Sequence, residues 1–160
     1  MGPEVETKPN GRVKSAERAV SRDSGRLRVL LADDHGIVRQ GLVSLLGEEH
    51  SIEIVGEAAN GREAVDLADQ LRPDVVIMDV SMPIMGGGEA TRRIKQDLPQ
   101  TRIVALSMFE ESEVRETMYQ AGAESYVLKT ASSEELLAAI RAKGELIAEP
   151  RADRSSDRGG

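Results

Sequence analysis

Four positions along the chain place a reactive side chain at the end of an apolar run. Asp33–Asp34 follow Leu27–Arg28–Val29–Leu30–Leu31–Ala32, and Asp79 closes Val75–Val76–Ile77–Met78. Ser107 closes Arg102–Ile103–Val104–Ala105–Leu106, and Lys129 follows Ser125–Tyr126–Val127–Leu128. Three carboxylates brought together repel one another and need a counter-charge. With no cysteine in the chain, an oxygen-only donor set points to a hard divalent cation, Mg2+. That ion keeps several waters and pairs a few carboxylates with a phosphate oxygen. Lys129 can bring a positive charge to the same phosphate and Ser107 a hydrogen bond. A carboxylate in such a place can attack phosphorus and form an acyl phosphate, while its neighbours stabilise charge on the phosphoryl oxygens. Aspartates also end strands simply because they start turns. The functional reading therefore needs these groups on one edge of one sheet.

The intervening sequence supplies that sheet. Val75–Asp79 is an unalternated apolar run entered through Pro73–Asp74, the pattern of a strand buried on both faces. The loop after it, Val80–Ser81–Met82–Pro83–Ile84–Met85–Gly86–Gly87–Gly88, is enforced by proline and glycine. Further strands are predicted at 27–32, 52–58, 102–107 and 125–128. Between them, Ile37, Val38, Leu42, Leu45 and Leu46 recur at helical spacing, with Gly47 as a stop. Asn60 and Glu63 form a capping pair before Ala64, Val65, Leu67, Ala68 and Leu71. A helix over 89–97 is closed by Pro99, and one over 111–121 by Gly122. Ser132 and Glu135 cap a last helix, whose inward residues are Leu136, Leu137 and Ile140 and whose stop is Gly144. Five strands alternating with five helices require an α/β fold with a doubly wound parallel sheet and helices on both faces. Right-handed crossovers favour the flavodoxin-like order 2-1-3-4-5. In that order the first and third strands are neighbours, and ligands bind at their carboxyl ends.

Composition sets the outer bounds. The 160 residues suit one domain with tails, and 39% hydrophobic residues with only 2% aromatic imply an aliphatic core. The net charge of -7 argues against a nucleic-acid-binding surface. No apolar run spans a bilayer and no signal peptide is evident, so a cytoplasmic location is expected. Residues 1–25 are polar and broken, with only a faint stripe of Val13, Ala16, Ala19 and Val20, and are expected to form a disordered arm. Residues 26–145 are the expected domain and 146–160 a disordered tail, from which Leu146 and Ile147 are expected to pack back weakly.

Leu31–Ala32–Asp33–Asp34–His35, Asp79–Val80–Ser81–Met82–Pro83, and the strand-end Ser107 and Lys129 together resemble the receiver domain of bacterial two-component response regulators. The likeness spans about 26–143. Val38–Arg39–Gln40–Gly41–Leu42, Glu89–Ala90–Thr91–Arg92–Arg93–Ile94 and Lys129–Thr130 are most similar to its NarL/FixJ branch. The resemblance implies that Asp79 accepts a phosphoryl group from a histidine kinase or phosphotransfer protein. It implies Mg2+ ligation by Asp33, Asp34, Asp79 and the Ser81 backbone carbonyl. It makes Lys129 and Ser107 phosphoryl contacts, Tyr126 the aromatic that swings with Ser107, and Ser81 and Phe109 the residues that tune hydrolysis. It further implies a self-dephosphorylating switch rather than a metabolic enzyme, and leaves a homodimer or heterodimer open.

The chain departs from the family at Gly86, where an Asp or Asn is common, and at Gly88, where an aliphatic residue is usual; a looser third helix is expected. NarL/FixJ regulators continue into a helix-turn-helix domain, which 141–160 is too short to hold, so no DNA binding by this chain alone is expected. Alternatives are the surviving half of a transcription regulator or an interaction module independent of phosphorylation. A haloacid-dehalogenase-type phosphatase would need an aspartate where Ser81 stands, and a flavin or nucleotide binder would need a glycine motif after the first strand. His35 is read as a solvent-facing loop residue, His50 as a surface residue, and Met78, Met82, Met85, Met108 and Met118 as core or loop fillers.

Overall fold

The structure, a computed structural model, describes residues 25–142. Most of the expected arm over 1–25, the Gly144 stop and the tail 146–160 lie outside the described residues. The elements are β1 (Leu27–Ala32), α1 (Gly36–Gly47), β2 (Ile52–Ala58), α2 (Gly61–Leu71), β3 (Val75–Asp79), α3 (Gly87–Asp97), β4 (Arg102–Ser107), α4 (Ser112–Ala121), β5 (Ser125–Leu128) and α5 (Ser133–Arg141). All five strands are parallel in the order β2-β1-β3-β4-β5.

Successive residues of a strand face opposite sides of the sheet, so each buried run divides between two cores. Leu30, Ala32, Val76, Met78, Ile103 and Ala105 pack with Ala64, Ala68, Ala90, Ile94 and Met118, which places α2, α3 and α4 on that face. Val29, Leu31, Val75, Ile77, Val104 and Leu106 pack with Leu46, Leu136 and Ile140, which places α1 and α5 on the other. β3 is buried along its whole length because it lies between both layers with a strand on each side.

The caps work as their residue types require. Asn60 Oδ1 accepts from the Glu63 N–H at 2.9 Å. Glu63 Oε1 reaches back to the Ala59 N–H at 2.8 Å, one residue beyond the usual capping-box donor. Ser132 Oγ accepts from the Glu135 N–H at 3.1 Å. Gly122 ends α4 with φ of 119°, a left-handed conformation that a side chain would strain.

Three helix boundaries differ from the sequence pattern. Gly47 is the last residue of α1 rather than its stop. Glu111 is the N-cap of α4 rather than its first residue. α3 begins at Gly87, two residues before Glu89. There the Gly87 N–H donates to Val80 O at 2.9 Å. A Cβ at Gly87 would lie 2.2 Å from Asp79 O, so only glycine lets the helix start this close to the strand end. Gly86 caps α3 without a side-chain hydrogen bond, as its departure from Asp or Asn entails. A Cβ at Gly88 would meet only Met118 Sδ and Thr117 Cγ2, both at 3.9 Å. An open pocket of about 290 Å3 lined by Val80, Val114, Thr117 and Met118 lies there.

Two side chains break the simple pattern. Ile37, read as part of the inward stripe of α1, is 85% exposed. Arg28, inside an otherwise apolar run, is buried. Its guanidinium donates to Arg72 O at 2.8 Å, and it stands in register with the buried Glu53 of β2. Hydrogen bonding and a nearby carboxylate offset the desolvation of such a charge.

Candidate functional site

The sheet order makes β1 and β3 neighbours, and their carboxyl ends deliver Asp33, Asp34 and Asp79 to one place. Asp33 and Asp79 are almost completely buried, while the Asp34 side chain is 28% exposed. Lys129 follows β5, two strands away from β3, and its length closes the gap. Its Nζ lies 3.0 Å from Asp33 Oδ2 and 3.3 Å from Asp79 Oδ1. The Lys129 N–H donates to Ser107 O at 2.7 Å, which ties the ends of β4 and β5 together. The Ser81 N–H approaches Asp79 Oδ1 at 3.4 Å.

Electrostatics follow from this packing. Burial first, and Asp33 second, raise the Asp79 carboxyl from 3.8 to about 6, against the lowering pull of Lys129 and the Ser81 N–H. Three carboxylates share one ammonium, so negative charge is left over. Asp79 Oδ2 is buried with no hydrogen-bond partner. An orphaned carboxylate oxygen inside an acidic cluster is what an oxygen-liganded cation requires. The donor set therefore fits a hard divalent ion, with Asp33, Asp34 and Asp79 as the carboxylates.

Ser107 is buried at the end of β4, and its hydroxyl is engaged by the backbone of Phe109. Ser107 Oγ accepts from the Phe109 N–H at 3.0 Å and donates to Phe109 O at 3.2 Å. The Tyr126 hydroxyl donates to the same Phe109 O at 2.8 Å. The Tyr126 ring is half-buried and the Arg115 guanidinium lies 4.9 Å from its centroid. Ser107 and Tyr126 thus form a second group, joined through the backbone of Phe109, whose own side chain is 60% exposed.

His35 is exposed, as expected of a loop histidine, but it is not directed away from the acidic pair. Its Nδ1 lies 3.3 Å from Asp33 Oδ1 and 3.2 Å from Asp34 Oδ1. The donor atoms of Asp33, Asp34, His35 and Asp79 all fall within 4.8 Å of one another. Adjacency to Asp33–Asp34 was the available signal. Arg39, one turn into α1, also reaches the site by donating to the Asp33 carbonyl and to Glu57 Oε1 at 3.0 Å. Among the described residues no helix is long and apolar enough to cross a membrane.

The model of the response regulator receiver domain matches residues 29–141. The response regulator protein VraR of Staphylococcus aureus is 43% identical over 126 residues, covering 78% of this chain and 60% of the relative. The chain thus spans about three-fifths of the length of the curated relatives it matches. A LuxR-family two-component response regulator from Aurantimonas sp. SI85-9A1 is similar in structure, with a TM-score of 0.70 and 36% identity. That match covers 82% of this chain and 99% of the other. The isolated receiver domain of RcsB from Salmonella enterica serovar Typhimurium, solved in the presence of the phosphomimetic BeF3-, has a TM-score of 0.65 and 27% identity, covering 70% and 83%. The chain belongs to the response regulator receiver domain family of two-component systems, and its relatives are regulators of the LuxR and NarL type.

Proposed function

We propose that Asp79 is the phosphoacceptor of a receiver unit spanning 26–145, and that the chain is a timed switch rather than a metabolic enzyme. The observation that carries this reading is a buried carboxylate at the end of the central strand, with an orphaned oxygen and with Lys129 Nζ 3.3 Å from its other oxygen. An Asp79 oxygen attacks the phosphorus of a phosphohistidine on a kinase or phosphotransfer protein. The O–P bond forms, the N–P bond breaks, and the departing imidazole takes up a proton. Asp79 must be ionised to attack, and above about pH 6 most of it is. Asp33, Asp34, Asp79 and the Ser81 carbonyl would hold Mg2+, whose chemistry is to neutralise charge on the phosphoryl oxygens. Lys129 supplies a second positive charge beside Asp33 and Asp79. The exposed Ser81 and Phe109 would tune hydrolysis of the acyl phosphate.

The switch follows from the hydroxyl of Ser107. Turning toward a phosphoryl group on Asp79 breaks both of its hydrogen bonds to Phe109. Phe109 then moves, and the bond from the Tyr126 hydroxyl is lost with it. The Tyr126 ring is released to occupy the vacated space beside β4. This remodels the face of α4, β5 and α5 and alters contacts with partners or with a second copy. The acidic net charge of -7 favours a protein partner over DNA, and the composition suits the cytoplasm. Incubation with acetyl phosphate and Mg2+ should add one phosphoryl group by intact mass, and Asp79→Asn should abolish it. Equal labelling of that variant would refute the assignment.

A further inference from the structure

We infer that the Arg115 guanidinium holds the Tyr126 ring in its outward position and so sets how readily the switch responds, acting as a positioning residue. The inference rests on the Ser107–Tyr126 switch described above and deepens it by naming what opposes the swing. Tyr126 pairs with Ala105 of β4, and it packs on the sheet face covered by α2, α3 and α4. Its hydroxyl is held at the tip by Phe109 O at 2.8 Å. Its face is held separately, by α4: Arg115 Cζ lies over the ring, 4.9 Å from the centroid. A guanidinium in that place is attracted by the ring quadrupole. Among the described residues the Arg115 side chain has no hydrogen bond or ion pair, so the ring is its partner. Both residues are half-buried, which reduces the competition of water for the cation.

The two restraints answer differently to the phosphoryl group. Ser107 Oγ bonds the N–H and the carbonyl of Phe109, so a turn of Ser107 toward Asp79 acts on the hydroxyl tip of Tyr126 directly. Arg115 stands on regular helix, its N–H donating to Glu111 O at 3.1 Å, and nothing in the turn of Ser107 takes it off the ring face. A ring that moves inward must leave the guanidinium behind. The outward and inward rotamers therefore differ by one cation–π contact, which biases their ratio outward by about two- to fivefold. A phosphoryl group shifts the balance only through its preference for the inward state. The bias thus weakens its apparent grip by up to the same factor.

The test uses the full chain, with beryllofluoride and Mg2+ as the probe. The chain has two tyrosines, so isotope-labelled tyrosine rings give two sets of NMR signals, and Tyr119→Phe assigns them. Three-bond couplings report the Tyr126 rotamer ratio at rest, and titration reports the apparent affinity. Arg115→Met keeps an apolar stem and removes the charge. It should move the rotamer ratio inward by about two- to fivefold and tighten beryllofluoride by up to that factor. Arg115→Lys retains a cation and should stay closer to the wild type than Arg115→Met. Arg93→Met removes an α3 cation paired with Glu89 and should change neither reading. An unchanged ratio and affinity in Arg115→Met overturns the proposal. So does an equal shift in Arg115→Lys and Arg115→Met, which would trace the effect to packing of the stem. A wild-type Tyr126 ring that ignores beryllofluoride, with a resting ratio that still shifts in Arg115→Met, would sink the switch reading and leave the hold of Arg115 on the ring standing.

Discussion

Asp79 is buried beside another carboxylate, and the cost can be measured without any phosphodonor. Its carboxyl is raised from 3.8 to about 6, by burial first and by Asp33 second. A carboxyl whose folded pKa exceeds its unfolded one binds its proton more tightly when folded. Its contribution to stability is whole below the unfolded value of 3.8 and is lost as pH rises through about 6. With 1.36 kcal/mol per decade, the ionised group destabilises the fold by about 3 kcal/mol at pH 8, about 1.5 at pH 5 and about 0.6 at pH 4. Asp79→Asn keeps the shape and removes the ionisation, so it should stabilise the chain by those amounts. Urea unfolding in EDTA at pH 8, 5 and 4 measures the difference between variant and wild type, in which the Asp33 and Lys129 interactions with Asp79 are included. Added Mg2+ should then narrow the gap at pH 8, because a ligand of the folded wild type stabilises it by mass action. Two results would refute the reasoning. One is a variant no more stable than wild type at pH 8. The other is a gain that does not fall between pH 8 and pH 4, which would trace it to packing rather than to charge.

Two further outcomes are expected. Gly88→Ala should stabilise α3 by roughly 0.5–1 kcal/mol, since a Cβ there meets only ordinary contacts and glycine is a poor helix former; a lower thermal midpoint would show that the space beside Met118 is not available. Ser107→Ala should leave Asp79 able to bind beryllofluoride but leave the NMR signals of the Tyr126 ring unmoved, and a full Tyr126 response in that variant would break the proposed link through Phe109.

Much of this architecture was legible in the residues alone. β3 and β4 begin and end where their apolar runs do, because a strand buried on both faces admits few polar residues. Asn60 and Ser132 mark helix starts because their short oxygens satisfy free N–H groups locally. The convergence of Asp33, Asp34, Asp79 and Lys129 followed from strand order, which alternation and handed crossovers nearly dictate. What spacing cannot encode is where a side chain turns once it arrives. Ser107 reached the expected edge, but its hydroxyl bonds the backbone of Phe109, because a buried hydroxyl takes the nearest partners. Ile37 matched the helical stripe and still faces solvent. Arg28 looked out of place in a buried strand until Arg72 O and Glu53 were brought to it from distant parts of the chain. His35 read as a solvent residue because only the folded turn over Asp33 directs its ring at the acidic cluster. Periodicity along the chain assigns a residue to a face or an edge. Rotamers, desolvation and pairing across elements depend on distances that exist only after the sheet and its two helical layers have packed.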